Sequence, residues 1–411
     1  MPELEGIKNQ TIIAIQDNEK DFFDEFTKIR RIKWPKEQRD NNLLILSASM
    51  VGYIVTPFRT IKLPIKYPEI TFSHILRMYM YTHTFRKNDS ARELDITEKE
   101  EDLDIINSFL KSLKIELING IIRSYKLYPK MDSKVKGKVN WNKSLVHILK
   151  RDETPVVTEQ FRLSTDNSIN RLIVGALRKI SVDPRYKGEV SNLLDIFEDV
   201  KKPIERNGAD ALKNIVFNSN TNRYRKVLNY ASLIIDSSDY SDLGNQTGLQ
   251  SFILNFDALY EDFVIKVLEQ ESNVEGFTTW GLMHDFSISD QINTVTYKPD
   301  ILFKYKKEDP DNEYKESSYG VLDCKNKAYS IFKNADVYQV LSYARKLCSK
   351  KIVLLYPSFN IRKYEKLNLD YDIFDPSTIY AVFVNIAGEN GTTFLENLRA
   401  FAKEVVDILI M

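Results

Sequence analysis

Apolar residues in this chain recur at two different spacings. Ile106, Phe109, Leu110, Leu113, Leu117 and Ile121 fall three and four apart, which predicts a helix within 105–127. Shorter helices are expected over 17–31 and 72–81, with a charged loop over 86–104. Between 43 and 64, Leu44, Leu46, Val51, Tyr53, Val55 and Ile61 lie among polar and turn residues, with Gly52 and Pro57 as punctuation. That pattern predicts short strands. A loop from Phe161 leads to a helix starting at Ser168, and a long helical middle runs to about 236.

The stretch 237–248 is rich in Ser, Asp, Gly and Asn and reads as a linker. Beyond it a helix is expected over 252–269, with Phe256, Leu259, Phe263 and Val267 as its apolar positions. Strands follow over 297–305 and 319–327, a helix over 336–347, strands over 351–356 and 379–386, and a closing helix over 394–410. This order predicts an α/β layered domain over 249–411, a mixed sheet flanked by helices. It follows an α+β amino-terminal region, 1–240, that is β-rich over about 43–70 and helical over about 105–236.

Composition narrows the function classes only slightly. Lys plus Arg and Asp plus Glu number 58 each, so global charge neither announces nor excludes a nucleic-acid binder. Two cysteines, Cys324 and Cys348, cannot build a disulfide framework or a cysteine-rich zinc site. The four histidines are scattered. Met1 to Gln16 carries acids and lacks an apolar signal core, and no run of 18 apolar residues occurs. No membrane contact and a reducing cytoplasmic compartment are therefore expected. The chain has no Gly-x-x-x-x-Gly-Lys-[Ser/Thr] phosphate loop of its own.

The chemistry-bearing residues lie in the carboxy-terminal part. Pro299 suits a strand start, because it has no N–H for a ladder bond, and it puts Asp300 at the head of an apolar strand. In Gly320-Val321-Leu322-Asp323-Cys324-Lys325, strand alternation sets Val321, Asp323, Lys325 and Lys327 on one face and Leu322 and Cys324 on the other. Two carboxylates on neighbouring strands with a lysine beside them suit phosphodiester hydrolysis. Asp300 and Asp323 are the expected ligands of Mg²⁺, with Mn²⁺ as a substitute, and Lys325 orients or deprotonates water and stabilises negative charge. A single Asp-x-Lys is more often a surface ion pair, so the reading leans on the upstream Pro-Asp and on the helix with Gln339 and Tyr343 four apart on one face. Tyr338 is expected to pack in the core. Glu261 is a secondary candidate for a further carboxylate. Lys327 is left open between a phosphate contact and a solvated strand end.

Pro299-Asp300, Asp323-Cys324-Lys325 and Tyr338-Gln339-x-x-x-Tyr343 together resemble the nuclease domain of the McrC family, of the PD-(D/E)xK superfamily. These are the cleavage subunits of McrBC 5-methylcytosine restriction systems and of LlaJI-type relatives. Leu259-Tyr260-Glu261-Asp262-Phe263-Val264 is similar to the helix that opens that domain. Val51-Gly52-Tyr53-Ile54, Ile61-Lys62-Leu63-Pro64, Lys134-Val135-Lys136-Gly137-Lys138-Val139 and Asp166-Asn167-Ser168-Ile169-Asn170-Arg171 resemble amino-terminal elements of the same family. The resemblance spans about 43–360. It implies a restriction-endonuclease-like carboxy-terminal fold, DNA as substrate, and docking of the amino-terminal half into a McrB-like AAA+ GTPase hexamer that the chain also stimulates. The 22 residues between Asp300 and Asp323 exceed the spacing expected for the family, and 306–318 is read as a surface hairpin extension. Two rival readings stand beside this one: a non-catalytic DNA-binding activator of a AAA+ ring, and a stand-alone PD-(D/E)xK repair or recombination nuclease.

Overall fold

The computed structural model describes residues 10–29, 32–95, 105–131, 135, 137–149, 156–237, 252–279, 286–289, 294–307, 316–370 and 378–410. The chain opens with strand β1 (Gln10–Ala14), helices α1 (Lys20–Ile29) and α2 (Lys36–Asp40), and strands β2 (Leu43–Ser47), β3 (Met50–Val55) and β4 (Thr60–Leu63). Helices α3 (Phe72–His83) and α4 (Ile105–Ile118) precede a ribbon of β5 (Ser124–Met131), β6 (Lys138–Val139), helix α5 (Trp141–Leu149) and β7 (Val157–Ser164). Helices α6 (Ser168–Ile180), α7 (Lys187–Ile196), α8 (Gly208–Lys213) and α9 (Arg225–Ser237) form the middle. Then come β8 (Phe252–Asn255), α10 (Phe256–Glu271), β9 (Phe277–Thr279), β10 (Phe286–Ser289), β11 (Thr294–Tyr297), β12 (Ile301–Lys306) and β13 (Ser317–Cys324). The chain closes with α11 (Asn334–Lys346), β14 (Lys351–Ser358), β15 (Glu365–Asn368), β16 (Thr378–Asn385) and α12 (Gly391–Ile410).

The site rests on a mixed six-stranded sheet in the order β15-β16-β14-β13-β12-β9. Its central strands β13, β14 and β16 are parallel, while β12 runs antiparallel to β13. Nearly every residue of β14 is buried, as expected where helices cover both faces of a parallel core. On one face Val337, Val340 and Ala344 of α11 pack against Ile352, Leu354 and Ala381. On the other, Leu322, Cys324, Val353 and Leu355 join the apolar sides of α10 and α12. Gly320 permits this second contact, since a Cβ there would meet Leu409 at 2.7 Å.

Several boundaries differ from the expected ones. Residues 252–255 are a strand rather than the first turn of a helix, and β8 pairs antiparallel with β3. Asn255 explains the break: its side chain accepts from the N–H groups of Asp257 and Ala258 and caps α10. The helix expected within 105–127 ends at Ile118, and Ser124 begins a strand. The loop expected from Phe161 belongs to β7, which pairs along its length with β5. The strand expected over 297–305 is divided into β11 and β12.

The hairpin between Asp300 and Asp323 is β12–β13, whose pairing extends to Lys306↔Ser317, with 308–315 outside the described residues. Most of the expected linker, 238–248, also lies outside them. Just beyond it, β8 belongs to the sheet of β3 and β4, and the principal core joins residues of α3, α6 and α9 to those of α10 and α12. Among the described residues, no helix is long and apolar enough to cross a membrane.

Candidate active site

Asp300 precedes β12, directly after the buried Pro299. The register Ile301↔Leu322 sets Asp300 opposite Asp323, so two distant segments bring their carboxyl groups to one point. The N–H of Cys324 donates to Asp300 Oδ2 at 2.7 Å. Asp323 is 1% exposed and forms an ion pair with Lys325 through Oδ2. Lys325 follows the last residue of β13, and its N–H extends the ladder by donating to Leu355 O at 2.8 Å. Leu322 and Cys324 face the core of α10 and α12, whereas Val321 packs against Tyr343 of α11 and Leu347 just after it.

Helix α11 supplies the other wall. Lys325 Nζ donates to Gln339 Oε1 at 2.8 Å, and Gln339 Nε2 donates to the Tyr343 hydroxyl at 2.8 Å. The four-residue spacing of Gln339 and Tyr343 thus becomes a relay ending on the Lys325 ammonium. Tyr338 does not pack in the core: it is 65% exposed. The buried positions Val337, Val340 and Ala344 face the sheet, and residue 338 is consequently turned to solvent. Lys327 donates to Asp336 Oδ1 at 2.7 Å, and Asp336 Oδ2 also accepts from the Tyr356 hydroxyl at 3.2 Å. The ion pair was invisible in strand alternation, because β13 ends at Cys324 and Lys327 lies beyond it.

Burial and the neighbouring Asp323 carboxylate push Asp300 up to about 7, although the Cys324 N–H favours its charged form. Burial also raises Asp323, against the pull of Lys325. Two acids set this close oppose each other's ionisation, and the Asp323 carboxylate is a main cause of the rise at Asp300. Lys325 is raised: burial opposes its charge, but Asp323, Asp336 and Asp300 together outweigh it, so it stays an ammonium at neutral pH.

Glu261 lies on the exposed side of α10 and is raised by partial burial and by Asp257, Asp323 and Asp262. It is an electrostatic neighbour of the pair. Among the described residues, however, no group of three Asp, Glu, His or Cys side chains is close enough to hold one ion. The available donors are therefore two carboxylates. That set fits a hard cation such as Mg²⁺, which takes one or two carboxylates and completes its shell with water. It does not fit a structural zinc site.

The model of a family described as McrBC 5-methylcytosine restriction system component matches residues 46–357. No curated protein matches the chain. Among solved structures, a half-complex from a tetradecameric assembly of Thermococcus gammatolerans McrB AAA+ hexamers with bound McrC contains a similar chain. The alignment covers 97% of this chain and 98% of that one, at 18% identity and a TM-score of 0.50. That likeness concerns the fold. A chain of the Thermococcus gammatolerans McrBC complex aligns over 65% of this chain and 87% of its own, at 17% identity and a TM-score of 0.38.

Proposed function

This chain belongs to the McrBC 5-methylcytosine restriction system component family, and on that premise we propose that it is a DNA-cleaving subunit whose carboxy-terminal sheet is of the PD-(D/E)xK type. The observation that carries the reading is the meeting of Asp300, Asp323 and Lys325 at adjacent strand ends, with Gln339 on the lysine. A scaffold that only binds DNA has no use for two buried acids pushed against each other. Such an arrangement is costly by itself and suits a cation.

Asp300 and Asp323 would hold Mg²⁺, or Mn²⁺ in its place. The ion would supply polarisation of the scissile phosphate and acidification of a nearby water. To serve as a ligand Asp300 would have to be ionised, its proton passing to solvent, because both acids would then face the cation as carboxylates. Lys325 remains protonated and is held by Asp323 and Gln339, so its role is to stabilise negative charge growing on the phosphate rather than to act as a base. Hydrolysis would form one P–O bond from water, whose proton passes to bulk solvent, and break one to the leaving strand, which takes up a proton.

The amino-terminal part supplies a surface for a partner. In the β5–β7 ribbon Tyr125 lies opposite Leu163, and Leu127 opposite Phe161. Directly opposed residues share a face, and here all four are exposed, Tyr125 and Phe161 to 70% and 71%. An apolar face of this kind marks an interaction site. We assign it to a McrB-like AAA+ GTPase ring, which provides the nucleotide hydrolysis that this chain has no phosphate loop to perform.

The test is reconstitution with the AAA+ protein, nucleotide, Mg²⁺ and plasmid DNA. The parent chain should cut, and Asp323→Ala should abolish cutting while still stimulating nucleotide hydrolysis. Phe161→Asp should weaken both, because it removes docking. Full cutting by Asp323→Ala sinks the site assignment. Stimulation without any cutting by the parent leaves the non-catalytic activator instead.

A further inference from the structure

The residue after Lys325 is held by a part of the chain more than 250 positions away. Asn326 Oδ1 accepts from the Tyr67 hydroxyl at 2.8 Å, and Asn326 Nδ2 donates to Asp257 Oδ1 at 2.7 Å. Lys66 Nζ donates to the main-chain carbonyl of Asn326 and lies 3.6 Å from Asp257 Oδ1. The other oxygen of Asp257 accepts from the Ser49 hydroxyl. Tyr67 is buried, with its ring 5.0 Å from Phe359 and 6.0 Å from Phe256. Every polar group of the Asn326 side chain and its carbonyl therefore meets the loop between β4 and α3 or the first turn of α10.

Asn326 is also the middle of a tight turn, in which the Lys327 N–H donates to Lys325 O at 2.7 Å. On either side of it stand the two ammonium groups of the site, Lys325 on Asp323 and Lys327 on Asp336. A rotation of the Asn326 peptide would move both. Lys325 has a long, flexible stem, so its placement against a phosphate depends on where its backbone is fixed.

We propose that Tyr67, Lys66 and Asp257 are positioning residues for Lys325, acting through Asn326, and that the loop between β4 and α3 sets the cleavage rate by this route. The proposal rests on the nuclease reading above. It differs from plain structural support: the Tyr67 hydroxyl touches one amide oxygen, and Phe359 and Phe256 keep the ring in place without it.

The experiment compares the full chain with Tyr67→Phe, Asn326→Leu and the double variant, each with the AAA+ partner, Mg²⁺ and plasmid DNA. Tyr67→Phe should slow single-turnover cleavage by about tenfold, and Asn326→Leu by about tenfold to a hundredfold. DNA half-saturation, stimulation of nucleotide hydrolysis and melting temperature should match the parent for Tyr67→Phe. The double variant should cleave no more slowly than Asn326→Leu, since both act through one turn. Cleavage within twofold of the parent for Tyr67→Phe, or strictly multiplicative losses in the double variant, overturns the proposal while the nuclease reading stands. If Asn326→Leu does not fold, the rate of Tyr67→Phe decides alone. A parent that does not cleave overturns the nuclease reading and this proposal with it.

Discussion

The peptide N–H of Cys324 donates to Oδ2 of Asp300, so the strand that carries Asp323 also grips the other acid of the pair. The residue between Asp323 and Lys325 thus contributes with its backbone, while its side chain is buried in the core on the far face. Any side chain that fits that core would leave the grip intact. The identity of residue 324 is therefore a packing matter, and Asp300 depends on β13 being in register.

The first prediction concerns pH. Asp300 titrates at about 7 in the folded chain, pushed there by burial and by Asp323, and in the ordinary carboxylate range when unfolded. Between those two values the folded state binds a proton that the unfolded state has released, so metal-free stability falls as pH rises through that window. Asp300→Asn, neutral throughout, should flatten the slope. Mg²⁺ should raise the melting temperature more at about pH 8 than at about pH 5.5, because at the lower pH it competes with the proton. Melting curves at both values decide this. An unchanged slope in Asp300→Asn would locate the titration elsewhere.

The second concerns Gln339. Gln339→Leu removes the amide that receives the Lys325 ammonium, and Asp323 still holds it. Cleavage should fall by about tenfold, and stability by about 1–3 kcal/mol, the usual worth of the two hydrogen bonds lost, to Lys325 and Tyr343. Lys325→Met should cost more, about a hundredfold or beyond, through loss of the charge itself. Single-turnover rates at saturating Mg²⁺ measure both. Equal rates for the two variants would mean that Gln339 does more than hold the lysine.

The third concerns the helical middle. A Cβ on Gly175 would lie 1.7 Å from the carbonyl oxygen of Ile204. That loop is tied to the same helix, with the Ile204 N–H donating to Arg171 O at 3.0 Å. It cannot retreat without breaking a hydrogen bond. Gly175→Ala should therefore destabilise the chain by about 1–3 kcal/mol or more. Denaturant titration checks this, and a variant as stable as the parent would show that the loop yields freely.

Local spacing made much of the site legible. Two-residue alternation set Asp323 apart from Leu322 and Cys324, and Pro299 marked the strand that Asp300 heads. The four-residue step from Gln339 to Tyr343 set them on one face of α11, where a hydrogen bond joins them. The same logic failed where elements end. Strand alternation carried past Cys324 hid the turn at Asn326 and the Lys327–Asp336 pair. An apolar stripe through 252–269 hid the cap at Asn255 and the strand before it. Tyr338 is exposed rather than packed in the core, because its angular position on α11 turns it away from the buried Val337, Val340 and Ala344.

Sequence alone determined the residue types of the site and their order, since carboxylates at strand ends and a lysine two positions on are dictated by short-range geometry. Only the tertiary structure decided which amino-terminal residues reach that site. Ser49 meets Asp257 across 208 positions, and Lys66 meets Asn326 across 260. Contacts of that separation have no periodicity to read. They arise because β8 joins the sheet of β3 and α3 packs on α10, which buries one core across both ends of the chain.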